Sequence, residues 1–195
     1  YQGHVVMWQG ANRISANAIY IDRDAQSLHA AGNVVSELVD NNSNAGAQPG
    51  SAAQPVFTIV YAPELSYRDD LRTADYTGGV KLVRDKMTVT SKTLKAFLTP
   101  KTANSNDSSL DHAFADGEVV IHQIVSPIRT RTGTAQHAEY YTKLNKVVLN
   151  GGNPQMQDSY KGLTKGQQLT YFSDDDRLIV DGEKNQLAFT RMRKK

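Results

Sequence analysis

Short apolar runs led by a glycine recur along this chain, and that recurrence restricts its folding more than any other feature. Gly3-His4-Val5-Val6, Gly32-Asn33-Val34-Val35, Gly79-Val80-Lys81-Leu82 and Gly117-Glu118-Val119-Val120 repeat one pattern, and Gly152 and Gly182 extend the series. Gly3 and Gly32 lie 29 residues apart, and Gly152 and Gly182 lie 30 apart. Polar turns fall about midway between glycines, as at Asp22-Arg23-Asp24, Arg68-Asp69-Asp70, Lys143-Leu144-Asn145 and Ser173-Asp174-Asp175-Asp176. Self-similarity at such a period marks a repeat architecture. One unit amounts to a pair of strands, which is marginal alone in water. Stacked units cover one another and bury a continuous core. A glycine at each equivalent place suits a sharp bend, where a strand passes from one sheet to the other.

Between the glycines the residues read as strand. Val56-Phe57-Thr58-Ile59-Val60-Tyr61, Met87-Thr88-Val89-Thr90, Val147-Val148-Leu149 and Leu169-Thr170-Tyr171-Phe172 are rich in β-branched and aromatic side chains between polar turn residues. The stretch from Ala135 to Leu144 carries helix-forming Ala, Gln and Glu, but Tyr140-Tyr141-Thr142 favours a pleated surface, so it too is read as strand. The expected fold is all-β: an elongated, twisted antiparallel β-jelly roll, a folded two-sheet stack of repeated strand pairs. Its ends should expose unpaired edges, with Gly3 to Trp8 and Leu187 to Arg191 as the candidates. Longer glycine spacings, 47 from Gly32 to Gly79 and 38 from Gly79 to Gly117, are explained by insertions at about 40–54 and 99–111. Their Asn, Ser, Gly and Ala content buries too little apolar surface to order itself, so both are expected to be loops.

Chemistry-bearing patterns are sparse. Net charge is +2, too balanced to point to nucleic acid. With no cysteine, disulfides, zinc–thiolate sites and thiol catalysis are excluded. No run approaches the eighteen apolar residues of a membrane helix. The histidines, His4, His29, His112, His122 and His137, form no metal-binding pair. Asp174-Asp175-Asp176 lacks the Gly and Glu of a calcium loop and is read as a solvated hairpin turn. No nucleophile-elbow motif is present, and no recurring carboxylate pair of the kind a carbohydrate-cleaving β-stack would need. No catalytic residue, metal or cofactor is therefore expected. The terminal Arg191-Met192-Arg193-Lys194-Lys195 reads as a solvated end, and Trp8 as a packing or sheet-end residue. The chain opens at Tyr1-Gln2-Gly3, already inside a strand-like pattern, and is read as a fragment of a longer protein.

Several segments resemble the OstA-like family of lipopolysaccharide export proteins, which includes LptA, LptC and the N-terminal part of LptD. The resemblance is most specific from Gly133-Thr134-Ala135 through Tyr140 to Val147-Val148-Leu149-Asn150-Gly151. It recurs at Gly3-His4-Val5-Val6-Met7-Trp8-Gln9-Gly10 through Ile14-Ser15-Ala16, at Tyr76-Thr77-Gly78-Gly79-Val80, and at Lys165-Gly166-Gln167-Gln168-Leu169-Thr170-Tyr171. On that basis residues 56–195 correspond to one LptA-like unit, and residues 1–55 to preceding repeats continuous with it.

The resemblance implies a periplasmic, non-enzymatic protein that shelters lipopolysaccharide acyl chains between its sheets. It implies other OstA-like transport proteins as partners through edge strands, and a head-to-tail homo-oligomer. The alternative is an assembly module of the same fold that docks by strand addition without binding lipid. Strand alternation sends every second side chain inward. The expected groove lining, as a set, is Val5, Met7, Ile14, Ala16, Val60, Val80, Leu82, Val119, Ile121, Tyr140, Val148, Leu169 and Tyr171.

Overall fold

A computed structural model describes residues 1–40, 56–100, 109–182 and 189–191. Most of the expected insertions lie outside them, although Leu110 and Asp111 already belong to a strand. The strands are β1 (Gln2–Gln9), β2 (Asn12–Asp22), β3 (Ser27–Asp40), β4 (Val56–Arg68), β5 (Thr73–Thr77), β6 (Val80–Arg84), β7 (Met87–Ser91) and β8 (Thr93–Leu98). They continue with β9 (Leu110–Ser126), β10 (Arg129–Tyr141), β11 (Lys146–Asn150), β12 (Gln155–Asp158), β13 (Gly162–Lys165), β14 (Gln168–Phe172), β15 (Arg177–Asp181) and β16 (Phe189–Arg191). The Ala135 segment is strand through Tyr141 and then closes in a single 3-10 turn, Thr142–Leu144. Every pairing is antiparallel, as the all-β jelly-roll reading expects.

The long strands each serve two layers. The first half of β4 pairs with β6 (Thr58 to Tyr61), and its second half with β5 (Glu64 to Arg68). The first half of β9 pairs with β8 and its second half with β7. The first half of β10 pairs with β12 and its second half with β11. One layer thus runs β1–β2–β3–β4–β6–β7–β9–β10–β12–β13–β16, and the other runs β2–β3–β4–β5–β8–β9–β10–β11–β14–β15. At the usual strand separation each layer is roughly 50 Å long.

The crossing from layer to layer is a line of bulges in which two residues oppose one. Gly32 and Asn33, both at positive φ, face Asn17, and Gly117 and Glu118, likewise positive, face Lys92. Gly78 and Gly79 face Pro63, and Gly151 and Gly152 face Gln136. A bulge of this kind bends the strand and raises its twist. It also resets the alternation. In β4 the inward residues are Thr58, Val60 and Ala62 before Pro63, and Leu65 after it. Both halves of a bent strand therefore point their apolar side chains into one interior. That interior holds a continuous cluster from Ala16 and Ile19 through Val60, Tyr76 and Val119 to Leu149 and Leu169.

Candidate functional site

The middle of the interior is close-packed. Val119 and Leu169 have no exposed surface, Val60 1%, Ala16 2% and Leu82 4%. Small residues from both layers, including Ala62, Ala74, Ala96, Ala113 and Ala138, let the two faces approach.

Space opens toward the β1 end. A cavity of about 400 Å³ lies between the layers, with Met7, Ile14 and Leu38 from one and Leu28, Leu65 and Tyr76 from the other. Its rim is polar, with Asp22, Arg23, Gln26 and Asp69, and Trp8 stands there on the edge strand, 66% exposed. At the same rim the Tyr67 hydroxyl donates to Asp69 Oδ1 (2.7 Å), and Arg72 Nη1 donates to both the hydroxyl (2.6 Å) and that carboxylate oxygen (2.9 Å). Burial, then the hydrogen bond to Asp69, pushes the Tyr67 hydroxyl far up. Burial pushes that of Tyr76 up to about 12. Both phenols therefore stay neutral, and the lining behind the charged rim is mainly apolar, with Ser36 and Asn12 as buried polar members beside the Tyr76 phenol.

The other end is different. Two cavities, about 260 and 450 Å³, share Arg131, Met156 and Tyr171 as a common partition. The Arg131 guanidinium lies 4.0 Å from the centre of the Tyr171 ring. It donates through Nε (3.1 Å) and Nη2 (2.9 Å) to Asp158 Oδ2, and through Nη2 to Asp176 Oδ1 (2.6 Å). Arg129 bonds the same two carboxylates, and Lys161 Nζ bonds Asp176 Oδ2 at 2.7 Å. Burial works to raise Asp158, but Arg129, the Lys161 and Tyr160 amides and Arg131 override it and hold the acid well below the carboxylate range. Asp176 is also opposed by burial and held low by Lys161, Arg129 and Arg131. Burial works to lower Arg131; its hydrogen bonds, that to Asp176 foremost, outweigh this and keep it protonated.

The expected lining residues divide accordingly. Met7 and Ile14 line the β1-end cavity, while Ile121, Tyr140 and Tyr171 line the 260 Å³ cavity. Val5 is half-buried against the core. Ala16, Val60, Leu82, Val119 and Leu169 belong to the dry middle, and Val80, also buried, borders a shallow groove along the line of bulges. Val148 requires correction. Its register partners are Glu139 and Thr170, whereas Val147 and Leu149 join the core, so period two turns Val148 to the outer face. Asp176 also departs from its reading as a solvated turn residue, since its carboxylate joins the inter-layer cluster. No signal in the sequence links Arg131 to Asp158 or Asp176. Leu28, Leu65 and Tyr76 were within reach of the alternation pattern. No grouping of acidic or histidine side chains that could hold a metal occurs among the described residues.

Comparison with known proteins gives two findings. The family described as LptA/(LptD N-terminal domain) LPS transport protein matches residues 60–177, more than half of the chain. Among solved structures, the chain is similar to LptH, the LptA homologous periplasmic component of the lipopolysaccharide transport device of Pseudomonas aeruginosa. The TM-score is 0.56 and the identity 16%, over 70% of this chain and 90% of that one. No curated protein sequence matches.

Proposed function

Because this chain belongs to the LptA/LptD N-terminal-domain family of lipopolysaccharide transport proteins, we propose that it is a periplasmic carrier that shelters lipid acyl chains between its two layers. The observation that carries this is the 400 Å³ cavity at the β1 end, mainly apolar at depth and polar at the rim. Such a lining suits hydrocarbon, and the rim leaves a sugar or phosphate head in water. Burying a methylene is worth about 0.8 kcal/mol, so a twelve-carbon chain contributes roughly 9 kcal/mol. No bond need be made or broken.

The strand edges support partner docking in the same reading. Among the described residues β1 pairs only with β2, and β16 only with β13. Each offers an unpaired backbone row for strand addition, and a contact between opposite ends would extend head to tail. Residues 1–55 serve in this reading as preceding repeats, and residues 56–195 as the LptA-like unit.

Trp8 is the sole tryptophan and stands at the cavity rim, so its emission reports occupancy. Lipopolysaccharide should co-elute with the folded protein and shift Trp8 emission to the blue. Folded protein that shows neither response would overturn the carrier reading; a concentration-dependent oligomer ladder without lipid would then favour a docking module.

A further inference from the structure

The most exposed large apolar side chains are not spread evenly over the molecule. Apart from Tyr1 and Trp8 at the β1 edge, the leading four among the described residues are Ile128, Leu71, Tyr160 and Leu144. Each stands in a turn at a strand end remote from the line of bulges. Each also adjoins a basic residue, as Leu71-Arg72, Ile128-Arg129, Lys143-Leu144 and Tyr160-Lys161. Along the bulges themselves the glycines face Asn17, Pro63, Lys92 and Gln136, none of them a large exposed apolar side chain. Single exposed apolar residues need no explanation, but their collection on one side of a fold does.

Two of these turns are neighbours on the free edge of one layer. The β9–β10 turn, with Ile128 74% exposed, adjoins the β12–β13 turn, with Tyr160 56% exposed. Thr130 N donates to Ser159 Oγ (3.0 Å) and Ser159 N to Thr130 O (3.0 Å), which fixes them side by side. On the other flank the β6–β7 turn carries the exposed Lys86, whose carbonyl accepts from Ile124 N (2.9 Å). Three consecutive hairpin tips thus present Ile124, Ile128 and Tyr160 together with Lys86 and Lys161. Arg84, Lys86, Arg129, Arg131 and Lys161 outnumber Asp85, Asp158 and the Asp176 that reaches them, five to three, a surplus of two positive charges. On the facing turn Asp174 and Asp175 are bonded by Asn145 and Arg177.

We propose that the tips of the β6–β7, β9–β10 and β12–β13 hairpins form a docking surface for an anionic lipid bilayer. A protein partner fits them poorly, because a stable interface needs about 800 Å² per side around a packed apolar core. Ile128 and Tyr160 instead project singly from separate turns. A bilayer receives such tips one by one. Ile128 sinks to the acyl boundary and the Tyr160 ring rests at headgroup level. Lys86 and the exposed side of Lys161 reach lipid phosphates on their long stems, and the positive surplus selects anionic lipid. Docking in this pose turns the free edges of the layers toward the membrane. The surface goes beyond the carrier reading and does not depend on it.

The test is co-sedimentation of the whole chain with vesicles of phosphatidylcholine alone and of phosphatidylcholine mixed with phosphatidylglycerol. The mixed vesicles should bind about tenfold more tightly at low salt, and high salt should remove most of that preference. Ile128→Ser and Tyr160→Ser should each weaken binding by about fivefold, and Lys86→Gln by a similar factor. Tyr61→Ser, which removes an exposed aromatic beside the line of bulges, should leave it unchanged. Circular dichroism checks that each variant is folded. Absence of wild-type binding to the mixed vesicles overturns the proposal, as does equal binding to both kinds. So does indifference of the folded tip variants, or an equal loss in Tyr61→Ser. Self-association that Ile128→Ser abolishes, with no vesicle binding, would assign the tips to a protein contact instead. The vesicles hold no lipopolysaccharide, so failure here leaves the carrier reading to its own test by Trp8 emission and co-elution.

Discussion

Gly117→Ala is the sharpest perturbation of the line of bulges on which the two-layer fold depends. Gly117 sits at φ +82, where an L side chain is strained by roughly 1–2 kcal/mol. A Cβ there would lie 2.8 Å from both Cβ and Cδ of Lys92, against a favourable carbon–carbon separation of about 3.5–4.0 Å. The Lys92 Cβ cannot swing aside as a side-chain tip could. Its backbone is fixed by hydrogen bonds from Lys92 N to Asp116 O (3.0 Å) and Gly117 O (2.9 Å), and from Gly79 N to Lys92 O (3.1 Å). Relief strains or breaks at least one of these, at about 0.5–1.5 kcal/mol each. The whole loss is about 1.5–3.5 kcal/mol, a large part of a typical 5–15 kcal/mol. Gly79→Ala is the control, since φ there is +96 and nothing lies within 4 Å of the added carbon. Urea denaturation should show Gly79→Ala losing about 1–2 kcal/mol and Gly117→Ala about 0.5–1.5 kcal/mol more than that. Equal losses for the two would refute the claim that close approach at the bulges, and not torsion alone, closes the layers together.

Asp158→Asn removes the carboxylate that two buried or half-buried arginines share and should destabilise the fold by about 3 kcal/mol in urea titration. The native Asp158 and Asp176 acids are held below their ordinary values, so their contribution is fully present above about pH 4 and is lost as pH falls through the depressed native values. Stability measured from pH 6 to pH 2 should fall less steeply for Asp158→Asn than for the wild type, and parallel curves would contradict the pairing. Tyr140→Asp places a carboxylate on the wall of the 260 Å³ cavity among Ile121, Val147 and Leu149, and should lower stability by about 2–4 kcal/mol or weaken lipid binding. A thermal midpoint and lipid affinity both equal to wild type would show the side chain facing solvent.

The line of bulges was legible because a glycine marks each of its crossings. Gly32, Gly79, Gly117 and Gly152 each stand at positive φ, and their recurrence is visible without coordinates. Alternation then identified Val60, Leu82, Val119 and Leu169 as inward. It failed at Val147-Val148-Leu149, where three consecutive apolar residues are all buried and hydrophobicity cannot choose the face. Register against Glu139 and Thr170 chooses it. The ionic cluster was beyond reach for another reason. Arg131 and Asp158 stand 27 residues apart, and Arg131 and Asp176 stand 45 apart. Their meeting follows from the pairing of β10 with β12 and from the turn between β14 and β15. Within that turn Asp174 and Asp175 do face outward, bonding Asn145 and Arg177, while Asp176, at φ +52, reaches Arg131.

To shelter hydrocarbon as proposed, the two layers must also part, because the middle of this interior is filled. Opening is least costly where only apolar contacts face each other, since dispersion contacts and burial are regained around the inserted chain. The β1 end comes nearer that condition, with the buried Ser36 and Tyr76 hydroxyls as polar groups between its walls. Met7 and Ile14 oppose Leu28 and Leu65, and the hydrogen-bonded Tyr67–Asp69–Arg72 group lies within one layer, so separation would leave it intact. At the other end Arg129 and Arg131 belong to one layer while Asp176 and Tyr171 belong to its opposite, so separation there would strip a buried guanidinium of one carboxylate and its aromatic contact. The two ends are therefore unequal. In the carrier reading, hydrocarbon would enter more readily at the β1 end, between the wall of Met7, Ile14 and Leu38 and that of Leu28, Leu65 and Tyr76, than past the Arg131 partition, where parting the layers breaks ion pairs.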